Sequence, residues 1–112
     1  MISKLNRKQA RINRKVRIRA RIFGTLERPR LVIFKSNNAL YTQFIDDAKG
    51  EVIGSVSELG NSIKSAGRLA IAMTEVAKKK KITKAVFDRS GYQFHGVVKV
   101  YADKMREGGL TI

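Results

Sequence analysis

Leu31-Val32-Ile33-Phe34 is an unbroken apolar run rich in β-branched residues, the pattern of a strand covered on both faces. Pro29 restricts its predecessor to extended backbone and makes a suitable strand entrance. Asn37-Asn38 tolerates positive φ and suits a two-residue hairpin turn. The chain then alternates, with Leu40, Thr42 and Phe44 on one face and Tyr41, Gln43 and Ile45 on the other. Asp46 to Gly50 reads as a turn and Glu51 to Ser57 as a third strand, which completes an antiparallel meander. The period then lengthens. Ile63, Ala66, Ala70, Met73 and Ala77, widened by Leu69 and Val76, form one helical stripe, with Asn61 or Ser62 as N-cap and Lys78 to Lys81 as its end. Gly67 inside this helix implies a close approach to the sheet. Lys84 to Asp88 is a short buried strand followed by the loop Arg89 to Gly96. A second helix carries Val97, Val98, Tyr101, Ala102 and Met105, stops at Gly108-Gly109, and leaves Leu110 to Ile112 as a small edge strand. The order arm–β–β–β–α–β–α–β predicts an α/β fold: a mixed sheet with helices packed on its faces.

The arm is different in kind. From Leu5 to Val16 apolar residues are sparse and allow one weak helical stripe, whereas Val16 to Ile22 alternates strictly with Arg17, Arg19 and Arg21, as a strand or extended arm would. The first thirty residues hold eleven of the 24 Lys and Arg and one of the nine acidic residues, which places ten of the fifteen net positive charges there. Such self-repulsion is normally met by a polyanion, and nucleic acid is the leading partner. With little to bury, the arm is expected to be largely disordered when free and to fold, mostly as helix, on phosphate neutralisation. A solubilising tail would not require this much unbalanced charge. Residues 1–27 are therefore read as a basic RNA-binding arm and 28–112 as one globular domain.

Composition narrows the classes further. The 112 residues contain no cysteine, so disulfides and thiolate metal sites are excluded, and the single His95 makes an all-protein zinc or copper site untenable. No apolar run approaches the roughly 20 residues of a membrane span. The Arg-rich N-terminus superficially resembles an organellar presequence, but its serine content is low. The expectation is a soluble intracellular protein without cofactors, membrane attachment or a small-molecule substrate, and nothing points to a homo-oligomer.

Candidate contacts follow from residue chemistry. Arg7, Lys8, Arg11, Arg14, Lys15, Arg17, Arg19 and Arg21 are phosphate ligands that add affinity with little sequence information. Arg28 and Arg30 flank rigid Pro29 and are read as a clamp on the RNA backbone. Lys35, Ser36, Asn37 and Asn38 bring a cation, a hydroxyl and two amides to one hairpin tip, a set suited to phosphate and ribose 2′-OH, although asparagine at a tight turn has a structural reason as well. In the loop, Arg89 is read as a phosphate contact, Tyr92 as a base-stacking ring, Phe94 as a core anchor, and His95 as a hydrogen-bonding group to RNA or backbone. The lysine run 78–81 is read mainly as a solvated helix C-terminus.

Four segments resemble a known family: Arg28-Pro-Arg-Leu-Val-Ile-Phe-Lys-Ser36, Leu40-Tyr-Thr-Gln-Phe-Ile-Asp-Asp47, Val86-Phe-Asp-Arg-Ser-Gly-Tyr-Gln-Phe-His-Gly96 and Ala102-Asp-Lys-Met-Arg-Glu-Gly-Gly-Leu110. In order and along the whole chain they resemble the bacterial large-subunit ribosomal protein eighteen family, with the Phe-Asp-Arg-x-Gly-Tyr-x-Phe/Tyr-His-Gly loop the most specific part. The resemblance implies a three-layer, ribonuclease-H-like topology without catalysis. It also implies a cytoplasmic ribosomal protein that binds 5S rRNA and helps attach it to 23S rRNA beside neighbouring large-subunit proteins, and that is monomeric outside the ribosome. Val97 and Val100 depart from the family, which often has Arg and Ala there, so the second helix lacks a cation after His-Gly. The alternatives are a non-specific nucleic-acid-binding protein and a ribonuclease-H-like nuclease. For the nuclease, Asp46 and Asp47 are adjacent and diverge, and the first strand carries no acid.

Overall fold

The computed structural model describes residues 4–92 and 94–112, with side chains from residue 8 onward. Its elements are α1 (Lys4–Arg19), β1 (Arg30–Lys35), β2 (Ala39–Asp46), β3 (Glu51–Leu59), α2 (Ile63–Lys79), β4 (Val86–Asp88) and α3 (Val97–Glu107). The sheet is mixed, in the order β3-β2-β1-β4, with β1 antiparallel to β2 and parallel to β4. β3 and β4 are its edges. Together with three helices this is the expected α/β architecture, consistent with three layers.

Register explains the core. Leu31 stands opposite Phe44 and Ile33 opposite Thr42, so these side chains share one face with Leu40. α2 buries Ala66, Leu69, Ala70, Met73 and Ala77 against that face, and α3 adds Val98, Tyr101 and Met105. β2 alternates between fully buried and half-buried positions, as its sequence requires. At the bulge between Phe44 and Ile45 the pairing jumps from Gly54 to Val52. Gly54 is the glycine of close approach: a Cβ there would lie 2.6 Å from Val76 Cγ1. Gly67 has nothing within 4 Å, so the expectation attached to it fails. Ile63, counted in the α2 stripe, is 60% exposed because it opens the first turn.

One buried hydrogen-bond chain ties α3 to the sheet. Thr42 Oγ1 donates to the carbonyl of Val32 at 2.8 Å, which uses its only proton. The 2.6 Å contact between Thr42 Oγ1 and Tyr101 Oη is therefore donated by the tyrosine. Burial pushes the Tyr101 hydroxyl far above its ordinary pKa, only partly offset by Thr42, so it remains the donor at any physiological pH.

The opposite face carries a second buried cluster. Arg30 is 6% exposed and its three guanidinium nitrogens are all engaged. Nε and Nη2 donate to Asp47 at 2.9 and 3.1 Å, and Nη1 donates to Asp88 Oδ2 at 2.7 Å. Asp47 also accepts from the Gly24 N–H at 2.8 Å, while the Asp47 N–H donates back to Gly24 O. Gly24 fits because it has no side chain: a Cβ would fall 2.4 Å from Arg30 N and 2.5 Å from Ile45 O. The chain leaving α1 is thus pinned against the start of β1, on the face away from α2 and α3.

Three local expectations change. The arm is helical through Arg19, so the Val16–Ile22 alternation does not mark a strand; helical hydrogen bonding wins where no sheet edge accepts the segment. The two-residue hairpin loop Asn37-Asn38 forms, with Ser36 N–H bonded to Ala39 O at 2.9 Å, but neither asparagine has positive φ. Residues 110–112 form no strand. A single parallel bridge joins Thr111 to Lys84, and β4 proper begins at Val86.

Two outcomes follow. Tyr101→Phe should cost about 1 kcal/mol in denaturant unfolding, because Thr42 loses its donor in a dry site. Arg30 holds the Asp47 carboxyl below the ordinary carboxylate range against the opposing effect of burial, and Gly24 and Arg19 assist. That stability is fully present above the unfolded carboxylate pKa of about 3.9. It should drain away as pH falls through the lower folded value, which acid unfolding followed by circular dichroism will read.

Candidate nucleic-acid interface

α2 and α3 both run away from the same end of the sheet. α2 starts beside the β1–β2 hairpin, where Gly60 N–H donates to Asn38 O and Asn61 Nδ2 to Ser36 O. β4 runs parallel to β1, so the loop after it emerges at this end too, and α3 starts from that loop. Tyr92 is the tie: its hydroxyl accepts from Lys35 N–H at 3.2 Å and donates to Lys35 O at 3.0 Å. A loop residue thereby fixes the backbone of the last β1 residue.

α1 joins the same end through the loop. The Arg11 guanidinium lies 4.9 Å from the Tyr92 ring centroid, and Arg14 Nε donates to Gly91 O at 2.9 Å. Gly91 has φ +78, and a Cβ there would fall 2.4 Å from Arg11 O and 3.0 Å from Lys15 N. Only glycine meets both demands. Arg11, Arg14, Lys35, Tyr92 and His95 consequently line one shallow depression of about 200 Å³.

The predicted contacts are not all brought together. Lys8, Arg17, Arg19 and Arg21 are exposed along α1 and its exit, while Arg11, Arg14 and Lys15 are half-buried against the loop. The side chain of Arg7 lies outside the described residues. Arg28 is exposed, with its backbone closing a turn on Thr25. Lys35, Asn37, Asn38 and His95 are exposed at the common end. Ser36 is exposed, but its hydroxyl is engaged with both the N–H and the C=O of Ala39. Arg89 is half-buried and, among the described residues, forms no ion pair.

Two readings are corrected. Arg30 does not face a polyanion. Burial opposes its charge, but the bonds to Asp47 and Asp88 outweigh that and raise its pKa. It clamps protein to protein. Tyr92 and Phe94 exchange roles: Tyr92 is packed on the core with one ring face under Arg11, whereas Phe94 is 41% exposed and meets Phe87 edge-on with ring centroids 6.4 Å apart. The exposed ring is therefore Phe94.

Further groups escaped the sequence reading. Phe34 and Tyr41 stack at 6.0 Å on the sheet face away from α2 and α3. The β2 alternation points Tyr41 outward, and its pairing with Phe34 is the signal that the apolar run overrode. α3 begins at Gly96 with φ +58 and no side-chain cap. Its first turn, which follows His95 directly in sequence, has no side chain to accept from its N–H groups, and a helix N-terminus of this kind favours an anion. The converging carboxylates, Asp47 and Asp88, are both bound to Arg30, and each accepts a backbone N–H as well, so they do not form an open acidic pair.

A cationic helix, a hairpin end and an uncapped helix start on one mixed α/β body define a polyanion-binding protein of the α/β class. Residues 5–112 match the family model described as ribosomal L18 of archaea, bacteria, mitochondria and chloroplast. Three similar proteins bear the name large ribosomal subunit protein uL18. That of Lactobacillus acidophilus is 46% identical over 98% of both chains, and that of Caldicellulosiruptor saccharolyticus is 45% identical over 98% of this chain and 97% of its own. That of Helicobacter hepaticus is 43% identical over 96% of both. The chain belongs to the ribosomal L18 family, a family of structural ribosomal components and not of enzymes.

Gly91→Ala should release α1 from the loop. Amide exchange in residues 8–19 is expected to accelerate by at least about tenfold, while Leu31–Ile33 amides keep their protection, because the clash concerns α1 and not the sheet.

Proposed function

We propose that this chain is a structural constituent of the large ribosomal subunit that binds 5S rRNA and helps attach it to 23S rRNA, beside neighbouring large-subunit proteins. It acts as a monomer outside the ribosome, and its place is the cytoplasmic ribosome. The observation that carries the reading is the meeting of three chain segments at one end of the sheet: α1 with its arginines, the Lys35–Asn38 hairpin, and the Arg89–His95 loop. Family membership supports the same reading.

The division of labour follows from exposure. Lys8, Arg17, Arg19 and Arg21 stand exposed along the arm and supply phosphate contacts, which position the RNA without reading it. Arg11, Arg14 and Lys15 fix the arm to the loop. The loop then offers Phe94 for stacking on an unpaired base, Arg89 for phosphate, and the α3 N-terminus with His95 for a further phosphate or ribose oxygen. Residues 1–27 serve affinity and 28–112 recognition. Because α1 buries few apolar groups, its helix gains order as phosphates cancel its charge, and added RNA should raise helicity by circular dichroism.

The direct test is competition at about 150 mM salt between a 5S transcript and a duplex DNA of equal length. A phosphate-only binder would show little preference; this protein should prefer the 5S transcript by well over tenfold. With about 6 phosphate contacts, log K should fall with log salt by roughly 0.7–0.9 per contact. Replacing both Arg17 and Arg21 by Gln should reduce that slope by about two contacts' worth and leave melting unchanged. Equal affinity for both nucleic acids would favour the non-specific reading.

A further inference from the structure

α2 and α3 both end at the far side of the sheet from the hairpin, and their C-termini close in the same way with different residues. At α3, Gly109 N–H bonds to Arg106 O at 3.0 Å and Leu110 N–H to Met105 O at 3.3 Å, and Gly109 takes φ +99. At α2, Lys81 N–H bonds to Lys78 O at 3.2 Å and Ile82 N–H to Ala77 O at 2.8 Å, and Lys81 takes φ +58. Both are the same double-bonded helix stop, whose left-handed residue is ordinarily glycine. α3 uses glycine; α2 places a lysine there and accepts the backbone strain.

The dipole of α2 accounts for Lys78 and Lys79 in its last turn. It does not account for a cation in the glycine position, nor for Lys80 and Lys84 beyond the helix. Lys78, Lys79, Lys80, Lys81 and Lys84 are all exposed, and among the described residues none of them forms an ion pair. The 17 residues of α2 separate this cluster from the hairpin end by about 25 Å, at 1.5 Å per residue. A phosphate held at Tyr92 and His95 therefore cannot also be one that these lysines contact.

We propose that the Lys78–Lys84 end of the body is a second RNA-backbone surface, which grips a segment of 23S rRNA while the arm and loop hold 5S rRNA. The inference rests on the proposed function and deepens it by assigning the attachment step to named residues. Structured RNA fits better than an acidic protein because the five exposed ammonium groups, none paired among the described residues, spread over both sides of the small groove formed by Ala77, Ile82 and Leu110, and flexible point charges match a row of phosphates more closely than they match one fixed carboxylate.

The test uses the full chain and a triple variant, Lys80→Gln, Lys81→Gly, Lys84→Gln. Each is titrated with a 5S transcript, and then with a 23S transcript both alone and in the presence of saturating 5S transcript, at about 150 mM salt. The expected result is 5S affinity within about twofold of the parent, 23S affinity reduced on the order of tenfold, and a shallower salt slope for 23S alone. Lys81→Gly by itself should melt no lower than the parent, since it relieves the left-handed lysine. Undiminished 23S affinity in the triple variant, equal losses for both RNAs, or a parent that does not bind 23S would each overturn the inference; the first would point to a protein partner. A parent that ignores 5S but whose 23S binding still depends on these lysines would overturn the 5S reading alone.

Discussion

The burial of Arg30 between Asp47 and Asp88 is the interaction on which the arrangement of this molecule depends. A guanidinium this far from water is sustained only because every nitrogen has a carboxylate oxygen to meet. In satisfying it, the fold joins the end of β2, the last residue of β4 and, through Gly24, the exit of α1. Asp88 also accepts from Ser90 N–H at 2.8 Å, which starts the loop that carries Gly91 and Tyr92. One charge cluster thus sets both the origin of the arm and the direction of the loop that the arm meets again ten residues earlier in sequence.

The remaining charge is distributed by necessity. A small body has too few acids to pair its cations, and Asp47 and Asp88 are already committed inside. The basic residues therefore accumulate where the fold ends its elements: along α1, at the hairpin, and beyond the C-terminus of α2. Such an array does not define a pocket for a small molecule. It defines edges and rails, the shapes that follow a nucleic-acid backbone.

Much of this was legible in the sequence because the signals were local. The β2 alternation, the α3 stripe, the α2 stripe apart from Ile63, a cap at one of Asn61 and Ser62, and the Gly108-Gly109 stop each report on neighbours within a few residues, and the structure contains them all. The errors involve partners distant in sequence. Nothing near Arg30 reveals that Asp47 and Asp88 will surround it, so it resembles its exposed neighbour Arg28. Tyr92 and Phe94 are two residues apart with similar chemistry, and only Lys35, from another strand, decides which is packed. Gly67 and Gly54 look alike until Val76 is placed over one of them. The alternation of Val16 to Ile22 is real, but a period of two makes a strand only where a neighbour offers its edge.

β3 is an outermost strand of nine residues, with Val52 and Leu59 open to water and one row of amides and carbonyls unmatched. Such an edge is a template for joining another chain. The only acids on it are Glu51 and Glu58, so mutual repulsion between copies must come from the body's surplus lysines and arginines. Shielding by counterions shortens the reach of that repulsion to about 10 Å near 0.1 M ionic strength. Whatever loosens the grip on a ribose polymer also lowers the barrier between two unoccupied copies, which makes the occupied form the better guarded one.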